Sequence, residues 1–417
     1  MAPPPERQLL INLRNLRNLR IALLMLPYFV PFAVKLFDDR RHDVDEIKIA
    51  FIGAGDVNFG GGEGPWDHAS RLEKIDRVRV VGVADPDVAR ANRQLAARQA
   101  GPAAGRYAGA AVFADFAEML GKAGPDAVFI GVPPRAHGRV EFPADIELVC
   151  AAAGVHIFIE KPLGCAPPEE MSPLAERLAN ASARGLVVSV GYMFRYARAI
   201  DAMRQLLEET PGGPRAVIGR YDCAYSEIGK ADWWDIRRSG GPIVEQATHF
   251  VDLMRLLAGE ALPETVSAVT VEATEPAGAL ADAPLRDGLP IDADVPSPFR
   301  PPRATAAVWK FAGGAVGSLT HATLLHRKKY ESELEVWGDG LRMVLADPYG
   351  ACRLHVRRPG QEATETIEFA GDDPYLTEDR VFIEAVRTGD ASAVRSTYAD
   401  AMKTYELTWT IRRAGEE

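Results

Sequence analysis

The sequence lacks an excess of positive charge and any regular spacing of metal-binding residues. Its 48 lysines and arginines are outnumbered by 58 aspartates and glutamates, which gives a formal net charge of −10. Without a basic stripe to neutralise phosphates, nucleic acid is not expected as a partner. The histidines are scattered, and the four cysteines show no C-x-x-C spacing (Cys150, Cys165, Cys223 and Cys352). We therefore expect free thiols, a reducing cytoplasmic compartment and no metal site.

The amino-terminal apolar run is too short for an ordinary membrane helix. Residues 21–34 fall short of the roughly 20 residues that spanning a bilayer requires, and Pro27 and Pro31 interrupt the run. A basic stretch precedes it, as in targeting segments. We predict that residues 1–45 form a poorly ordered or targeting extension. Membrane contact through residues 21–34, which would make a tethered enzyme, is the less favoured alternative.

Hydrophobic content is sufficient for two domains, at 47% of 417 residues. Strand and helix patterns alternate over residues 46–164, which predicts an α/β domain with a doubly wound parallel sheet. Residues 165–417 are predicted to form an α+β domain, because many short strands in its later part suggest a large, mostly antiparallel open sheet. Within it, residues 275–302 are rich in Pro, Ala and Asp and are expected to be a surface insertion.

A glycine turn follows the first predicted strand. Residues 46–52 become apolar, as a buried parallel strand does, and Gly53 and Gly55 come directly after it. Glycines here allow a tight turn and let backbone N–H groups approach a pyrophosphate. Asn58 occupies the place of a third glycine, and the loop is lengthened by residues 59–66. Alone, this pattern is also compatible with a simple turn.

Two further strand ends are candidate cofactor contacts. Asp85 ends the second strand, where an acidic residue accepts the ribose hydroxyls of NAD and repels a 2′-phosphate. This slightly favours NAD, while Arg90 keeps NADP open; the alternative is that Asp85 caps the next helix. Pro133 follows the strand at residues 127–132 and either braces the nicotinamide or forms an ordinary rigid turn.

The segment Glu160-Lys161-Pro162 ends a further apolar strand. Ligands of open α/β sheets bind outside the carboxyl ends of the strands. A lysine there can hydrogen-bond a substrate hydroxyl or carbonyl while a nicotinamide gives or takes hydride. The alternative is a surface lysine beside a turn.

A second candidate lies downstream on a predicted helix that Gly240-Gly241-Pro242 opens. Glu245, His249 and Asp252 fall on one face of that helix. A carboxylate one turn from a histidine can fix its tautomer and raise its basicity, which suits acid–base work near neutral pH. The alternative is a satisfied histidine inside a buried helix.

Taken together, these motifs resemble those of the Gfo/Idh/MocA oxidoreductases over residues 46–414. The resemblance also includes residues 191–196, Gly-Tyr-Met-Phe-Arg-Tyr. It implies a Rossmann domain that binds NAD or NADP and a substrate that is a sugar, polyol or cyclic diol. A homodimer or tetramer through the second sheet is expected as well.

The resemblance also implies roles for individual residues. Lys161 would hydrogen-bond the reacting hydroxyl, His249 would be its acid–base partner, and Glu245 would support them where many members carry Asp. Glu160 and Pro162 would place Lys161 and face the nicotinamide. The residues expected at the substrate are Tyr192, Arg195, Trp233 and Asp252. A regulator of the same fold that binds the dinucleotide without turning it over is the alternative; the presence of both Lys161 and His249 argues against it.

Overall fold

The computed structural model describes residues 46–60, 67–281, 292, 294–327 and 329–416. The predictions for residues 1–45, for residues 61–66 of the glycine loop and for residues 282–291 of the insertion lie outside the described residues. Among the residues that are described, no helix is both long and apolar enough to cross a membrane.

The first layer is a six-stranded sheet in which every pair of neighbouring strands is parallel. Its strand order is β3-β2-β1-β4-β5-β6, so the order reverses between β1 and β4. The strands are β1 (Ile47–Ile52), β2 (Val78–Ala84), β3 (Ala111–Phe113), β4 (Ala127–Ile130), β5 (His156–Ile159) and β6 (Val188–Val190).

Helices cover both faces of this sheet, which explains why its central strands read as continuous apolar runs. Alternate residues of β1 supply two separate cores: Ile49 and Phe51 belong to one, and Ala50 and Ile52 to the other. The helices up to the end of β6 are α1 (Asp56–Phe59), α2 (His68–Leu72), α3 (Val88–Gln99), α4 (Phe116–Ala123), α5 (Ile146–Ala152) and α6 (Pro168–Ser182).

The second layer is an eight-stranded open sheet of order β14-β13-β12-β11-β7-β10-β9-β8. All of its pairs are antiparallel except β7 with β10. The predicted α/β fold with a doubly wound parallel sheet and a mostly antiparallel second sheet is thus confirmed. The strands are β7 (Ala216–Ala224), β8 (Ala261–Val271), β9 (Ala304–Phe311), β10 (Val316–Leu325), β11 (Tyr330–Trp337), β12 (Arg342–Ala346), β13 (Arg353–Arg357) and β14 (Glu365–Glu368).

One face of the second sheet packs on helices. In β9 burial alternates strictly, so that Trp309 and Phe311 enter the core while Val308 and Lys310 face outward. The remaining helices are α7 (Arg198–Glu208), α8 (Ile236–Ser239), α9 (Pro242–Glu245), α10 (Thr248–Ala258), α11 (Pro374–Thr388) and α12 (Tyr398–Glu416).

The structure differs from the sequence expectations at the junction of the two layers. The strand β6 lies within the predicted second domain, yet it pairs with β5 and completes the first sheet. The chain also returns to the first layer at its end, because α11 packs against α2 and α12 against α6. The division of the chain at residue 164 stays a prediction; judged by the sheets alone, the divide comes after Val190.

The helix expected to carry both Glu245 and His249 is interrupted. α9 ends at Glu245, Gln246 and Ala247 form a turn, and α10 begins at Thr248. The two side chains therefore do not form the one-turn pair that a continuous helix would give.

Candidate active site

The glycine turn between β1 and α1 lets the main chain come close to its neighbours, because a side chain at Gly53 would not fit. Gly53 has φ +97°, and a Cβ added to it would lie 2.4 Å from the carbonyl oxygen of Gly131. A Cβ added to Gly55 would meet nothing within 4 Å, so the backbone there faces open space. Asn58, in the place of the third glycine, is fully buried and donates from Nδ2 to the Gly53 oxygen at 2.7 Å. The asparagine thus closes the turn from inside.

Both carboxylate oxygens of Asp85, at the end of β2, already accept hydrogen bonds from other groups of the protein. Its Oδ2 accepts from the Ala54 N–H at 2.7 Å, and its Oδ1 accepts from the Asp87 N–H at 2.8 Å. Arg90 donates to both oxygens, at 2.8 and 2.9 Å. The carboxylate is 2% exposed, whereas the Arg90 side chain is 45% exposed. The outward-facing group at this strand end is therefore the guanidinium.

Lys161 follows the end of β5 and bridges to the second layer. Its Nζ lies 2.9 Å from the main-chain oxygen of Glu245 and 3.4 Å from Oε1 of the same residue. The Glu245 carboxylate keeps a lowered pKa: burial opposes its charge, but the charge of Lys161 outweighs that opposition, with help from Lys230. Pro162 is buried behind the lysine, while Pro133 is exposed at the end of the neighbouring strand.

His249 sits at the start of α10 without a carboxylate partner. Its Nδ1 is buried and has no hydrogen-bond partner among the described residues. The rings of Tyr192 and Phe194 meet it edge to face, at centroid distances of 5.8 and 5.7 Å. Burial, and then the positive charge of Lys161, hold the pKa of His249 well below its usual range. The expected gain in basicity from Glu245 is absent, because the turn at residues 246–247 directs Glu245 to Lys161 instead.

Lys161 and His249 line the same cleft, together with Glu160, Glu245 and Trp233. The cleft holds about 1000 Å³, counting the open space at its mouth. One wall is aromatic: the rings of Tyr330 and Tyr349 are 4.7 Å apart, and Tyr221 lies 5.8 Å from Tyr349. Lys161 and His249 thus line one concave surface, although α6, β6 and β7 lie between them in the chain.

Three of the residues expected at the substrate lie behind this surface. Arg195 donates to both carboxylate oxygens of Asp252, at 2.7 and 2.5 Å, and also pairs with Asp400. Tyr192 shares a 2.7 Å hydrogen bond with Thr248. Tyr192, Arg195 and Asp252 are at most 4% exposed. Their contacts fix α10, and with it His249, against the first layer and α12.

Trp233 belongs to a small aromatic cluster that the insertion covers. It packs edge to face on Trp234 at 4.9 Å, and Leu280 packs against the cluster that these rings form with Tyr225. The Tyr225 hydroxyl donates to the Ala281 oxygen at 2.8 Å. The described start of the 275–302 segment therefore contacts the same part of the chain that supplies a cleft wall.

Sequence reasoning missed one charged cluster in the cleft, formed by His68, Arg71, Glu378 and Asp379. The hydrogen bond between His68 and Asp379 spans 311 positions, so no local spacing reveals it.

Comparisons with known proteins agree with this architecture. The model of the Gfo/Idh/MocA oxidoreductase family, NAD-binding Rossmann fold, matches residues 47–192, and that of an oxidoreductase C-terminal domain matches residues 195–341. An uncharacterised Schizosaccharomyces pombe protein is 35% identical over 379 residues, covering 88% of this chain and 91% of the relative. The chain belongs to the Gfo/Idh/MocA oxidoreductase family. The predicted family and its NAD-binding Rossmann domain are thereby confirmed.

More distant relatives carry names. Myo-inositol 2-dehydrogenase of Thermotoga maritima is 23% identical over 282 residues, covering 66% of this chain and 74% of the enzyme. The solved structure of UDP-N-acetylglucosamine 3-dehydrogenase GnnA from Acidithiobacillus ferrooxidans superimposes with a TM-score of 0.65 at 21% identity. It covers 89% of this chain and 98% of that protein, and it shows the shared fold.

The residues present fit the dinucleotide that the family binds. The open space above Gly55 leaves room for a pyrophosphate against backbone N–H groups. The turn lies where the strand order reverses, which is the usual ligand crevice of a doubly wound sheet.

Proposed function

We propose that the protein is an NAD(P)-dependent dehydrogenase acting on a carbinol carbon of a sugar, polyol or cyclic diol. The observation that supports this most is the convergence of Lys161 and His249 in one cleft, beside the carboxyl end of the parallel sheet. The two polar groups that we assign to the hydroxyl proton thus line the cleft in which the substrate would bind. A bound nicotinamide supplies the hydride acceptor or donor.

Seven residues are assigned to holding the dinucleotide. Gly53 and Gly55 receive the pyrophosphate, and Asp85 with Arg90 faces the adenosine ribose. The residues placed on the nicotinamide side are Pro133, Glu160 and Pro162. Because Arg90 occupies both oxygens of Asp85 and faces outward, we propose that NADP is accommodated at least as well as NAD. Asp85 alone would favour NAD, and its pairing with Arg90 removes that preference in our proposal.

Lys161 is assigned to the reacting oxygen. Its Nζ donates a hydrogen bond to the substrate hydroxyl and stabilises the negative charge that grows there as the proton leaves. Such stabilisation is strong in a site shielded from water, where charges interact through a low dielectric. Glu245 holds the ammonium in place through its main-chain oxygen and its carboxylate.

His249 is assigned as the proton acceptor. Because its Nδ1 is buried, Nε2 is the nitrogen left to meet a substrate. A lowered pKa keeps the ring neutral, so it is ready to accept a proton at neutral pH, although it is a weak base. Tyr192, Arg195 and Asp252 act through α10 by keeping the imidazole in position.

The lining of the cleft supports a polar, ring-shaped substrate. Tyr221, Tyr330, Tyr349 and Trp233 offer aromatic faces, and lysine and glutamate side chains surround them. Aromatic faces suit the C–H surfaces of a sugar ring, while the charged groups can bind its hydroxyls. The inositol and UDP-sugar dehydrogenases named above act on substrates of this class, which is consistent with the assignment.

A homodimer or tetramer through the second sheet is part of the proposal. The outward face of that sheet exposes apolar side chains, among them Val269 at 70%, Val308 at 49% and Val316 at 44%. Such a patch on a sheet is typical of a subunit contact. Light scattering of the wild type and of Val308→Glu tests it: we expect an oligomer that the charged variant weakens.

The decisive experiment is a fluorescence titration with NADH and NADPH, followed by a screen of sugars, inositols and cyclic diols with the preferred cofactor. We expect micromolar binding and turnover of at least one substrate. Binding without any turnover over that panel would instead favour the non-catalytic regulator. Absence of dinucleotide binding would contradict the proposal as a whole.

A further inference from the structure

A buried histidine joins three distant parts of the chain at the cofactor end of the cleft. His68 begins α2, immediately after the glycine loop, and is 2% exposed. Its Nε2 lies 3.0 Å from Oε1 of Glu160, the residue before Lys161. Its Nδ1 lies 2.9 and 3.0 Å from the two carboxylate oxygens of Asp379 in α11.

This geometry sets the protonation state of His68. A neutral imidazole has one N–H donor and one acceptor nitrogen. Here each nitrogen faces a carboxyl oxygen, so His68 can donate to both acids only when both of its nitrogens carry a hydrogen. The rings of Phe129 and Phe158 pack against the imidazole at 4.8 and 4.9 Å and exclude water from it. Burial opposes the charge, but Asp379 and Glu160 outweigh it and raise the pKa of His68 to about 9.

Two other ionisable groups complete the cluster. Arg71 lies on the same helix, with its guanidinium 4.6 Å from the centre of the Tyr375 ring. Glu378 precedes Asp379 and is 3% exposed. Burial, then the charges of Glu160 and Asp379, raise the pKa of Glu378 well above its usual range and so favour its uncharged form. The two carboxyls that His68 contacts differ: burial raises the pKa of Asp379 although His68 opposes the rise, whereas the pKa of Glu160 is lowered, because His68 and Lys161 outweigh its burial.

Two neighbours restrain the Glu160 carboxylate. His68 contacts its Oε1 at 3.0 Å, and a Cβ added to Gly191 would lie 3.0 Å from the same oxygen. The Glu160 carboxylate can therefore lie next to residue 191 only because that residue is a glycine. Few alternative orientations remain for the residue directly before Lys161.

We propose that His68 is a positioning residue: as an imidazolium it holds Glu160, and through it the Glu160–Lys161 segment, in the orientation that meets the dinucleotide. It couples that orientation to the helix after the glycine loop and to α11. The inference rests on the proposed function, because it assigns His68 to the binding of the cofactor. His68 itself is given no contact with substrate or with a transferred proton.

The first test measures the charge directly. Protein labelled with ¹³C at histidine Cε1 is titrated by NMR from pH 6 to 10, and His68→Gln identifies the His68 signal. We expect an imidazolium at pH 7.5 that loses its proton near pH 9. Asp379→Asn should lower that midpoint by more than about one pH unit. Its matched control, Glu378→Gln, removes the neighbouring carboxyl, which makes no hydrogen bond to His68 in the described structure and whose charged form burial disfavours. This variant should leave the midpoint nearly unchanged.

The second test measures the cofactor. NADH and NADPH affinities of the same proteins are determined by fluorescence between pH 7 and 10. For the wild type we expect the Kd to be constant up to about pH 8 and to rise about tenfold as the proton leaves His68. Asp379→Asn should show this rise at lower pH, and His68→Gln should bind weakly throughout, with no step. Glu378→Gln should show the same step as the wild type.

The outcomes separate the two levels of the argument. A neutral His68 at pH 7.5 in the wild type overturns the inference, whatever the variants do. If the wild type binds dinucleotide and all variants keep its pH dependence, the positioning role is wrong while the proposed function stands. If the wild type binds neither dinucleotide at any pH, both are overturned. The pH dependence of the wild-type Kd needs no variant. A wild-type Kd that stays constant up to pH 10 overturns the positioning role even if a variant fails to fold.

Discussion

The two ends of the cleft each contain a buried histidine, of which one is positively charged and the other is neutral. His68 is 2% exposed and His249 is 7% exposed, so burial alone does not distinguish them. Both nitrogens of His68 face carboxylates, and its pKa rises to about 9. The buried Nδ1 of His249 has no partner in the described part of the chain, and the nearby Lys161 is positive, so its pKa falls well below the usual range.

The difference shows that partners, and not depth, decide what a buried imidazole can do. A histidine between two acids is a fixed cation, suited to hold other groups in place. A histidine beside an ammonium is neutral and has a nitrogen free to accept a proton. The cofactor end and the substrate end of one cleft thus use the same side chain for two different purposes. Variants that exchange these environments test the distinction.

The largest effect is expected from Lys161→Met. Losing the ammonium removes the group that stabilises negative charge on the reacting oxygen, and turnover should fall roughly 10³-fold. NADH and NADPH affinity, measured by fluorescence, should change little. The control is Lys230→Met, which removes another positive charge from the same cleft and should cost at most about tenfold. Equal losses in the two variants would show that net charge, and not the position of Lys161, matters.

Replacing the neutral histidine comes next. His249→Asn should lower turnover by about 10²-fold or more without weakening the binding of the cofactor. Since the pKa of His249 is held well below its usual value of about 6.5, wild-type turnover should show no break at that pH. In Lys161→Met the ammonium no longer lowers this pKa, so the acid limb of the residual activity should move to higher pH. A wild-type break near pH 6.5 that His249→Asn abolishes would contradict the lowered pKa.

Much of the fold was predictable because buried strands have a recognisable apolar pattern in the sequence. β1, β2, β4 and β5 are covered on both faces, so their apolar runs are continuous. β3 was missed, because it has only three residues and none of them is fully buried. The break between α9 and α10 was missed for a different reason. The residues around Gln246 are compatible with a helix, and the interruption appears only once the Glu245 main chain meets Lys161.

The site was predictable only where motifs mark it. Lys161 and His249 could be chosen from their strand and helix contexts, and the cleft brings them together. Arg195 and Asp252 were expected at the substrate, but their side chains pair with each other behind α10. That pairing, like the contact of His68 with Asp379, depends on how α11 and α12 return to the first layer. No spacing along the chain encodes that return.

The cationic histidine is expected to contribute to stability in a pH-dependent way. Its folded-state pKa is raised, so its contribution is complete below about pH 6.5 and is lost as the pH rises through about 9. The free energy at stake is at most about 3 kcal/mol. Denaturant unfolding at pH 6.5, 7.5 and 9.5 should show this loss in the wild type. Asp379→Asn should be about 3 kcal/mol less stable at pH 6.5 and flatter with pH, whereas Glu378→Gln should keep the wild-type slope.

The smallest effect concerns which dinucleotide the cofactor end prefers. Arg90 donates to both oxygens of Asp85 and faces outward. If it meets a 2′-phosphate as we propose, Arg90→Ala removes that cation and leaves the carboxylate to the ribose hydroxyls. The ratio of NADPH to NADH dissociation constants should rise about tenfold. Arg93→Ala removes the same charge from the exposed side of α3 and should leave the ratio unchanged. If both variants shift the ratio equally, the effect is one of long-range charge, and Asp85 is not released by the loss of its arginine.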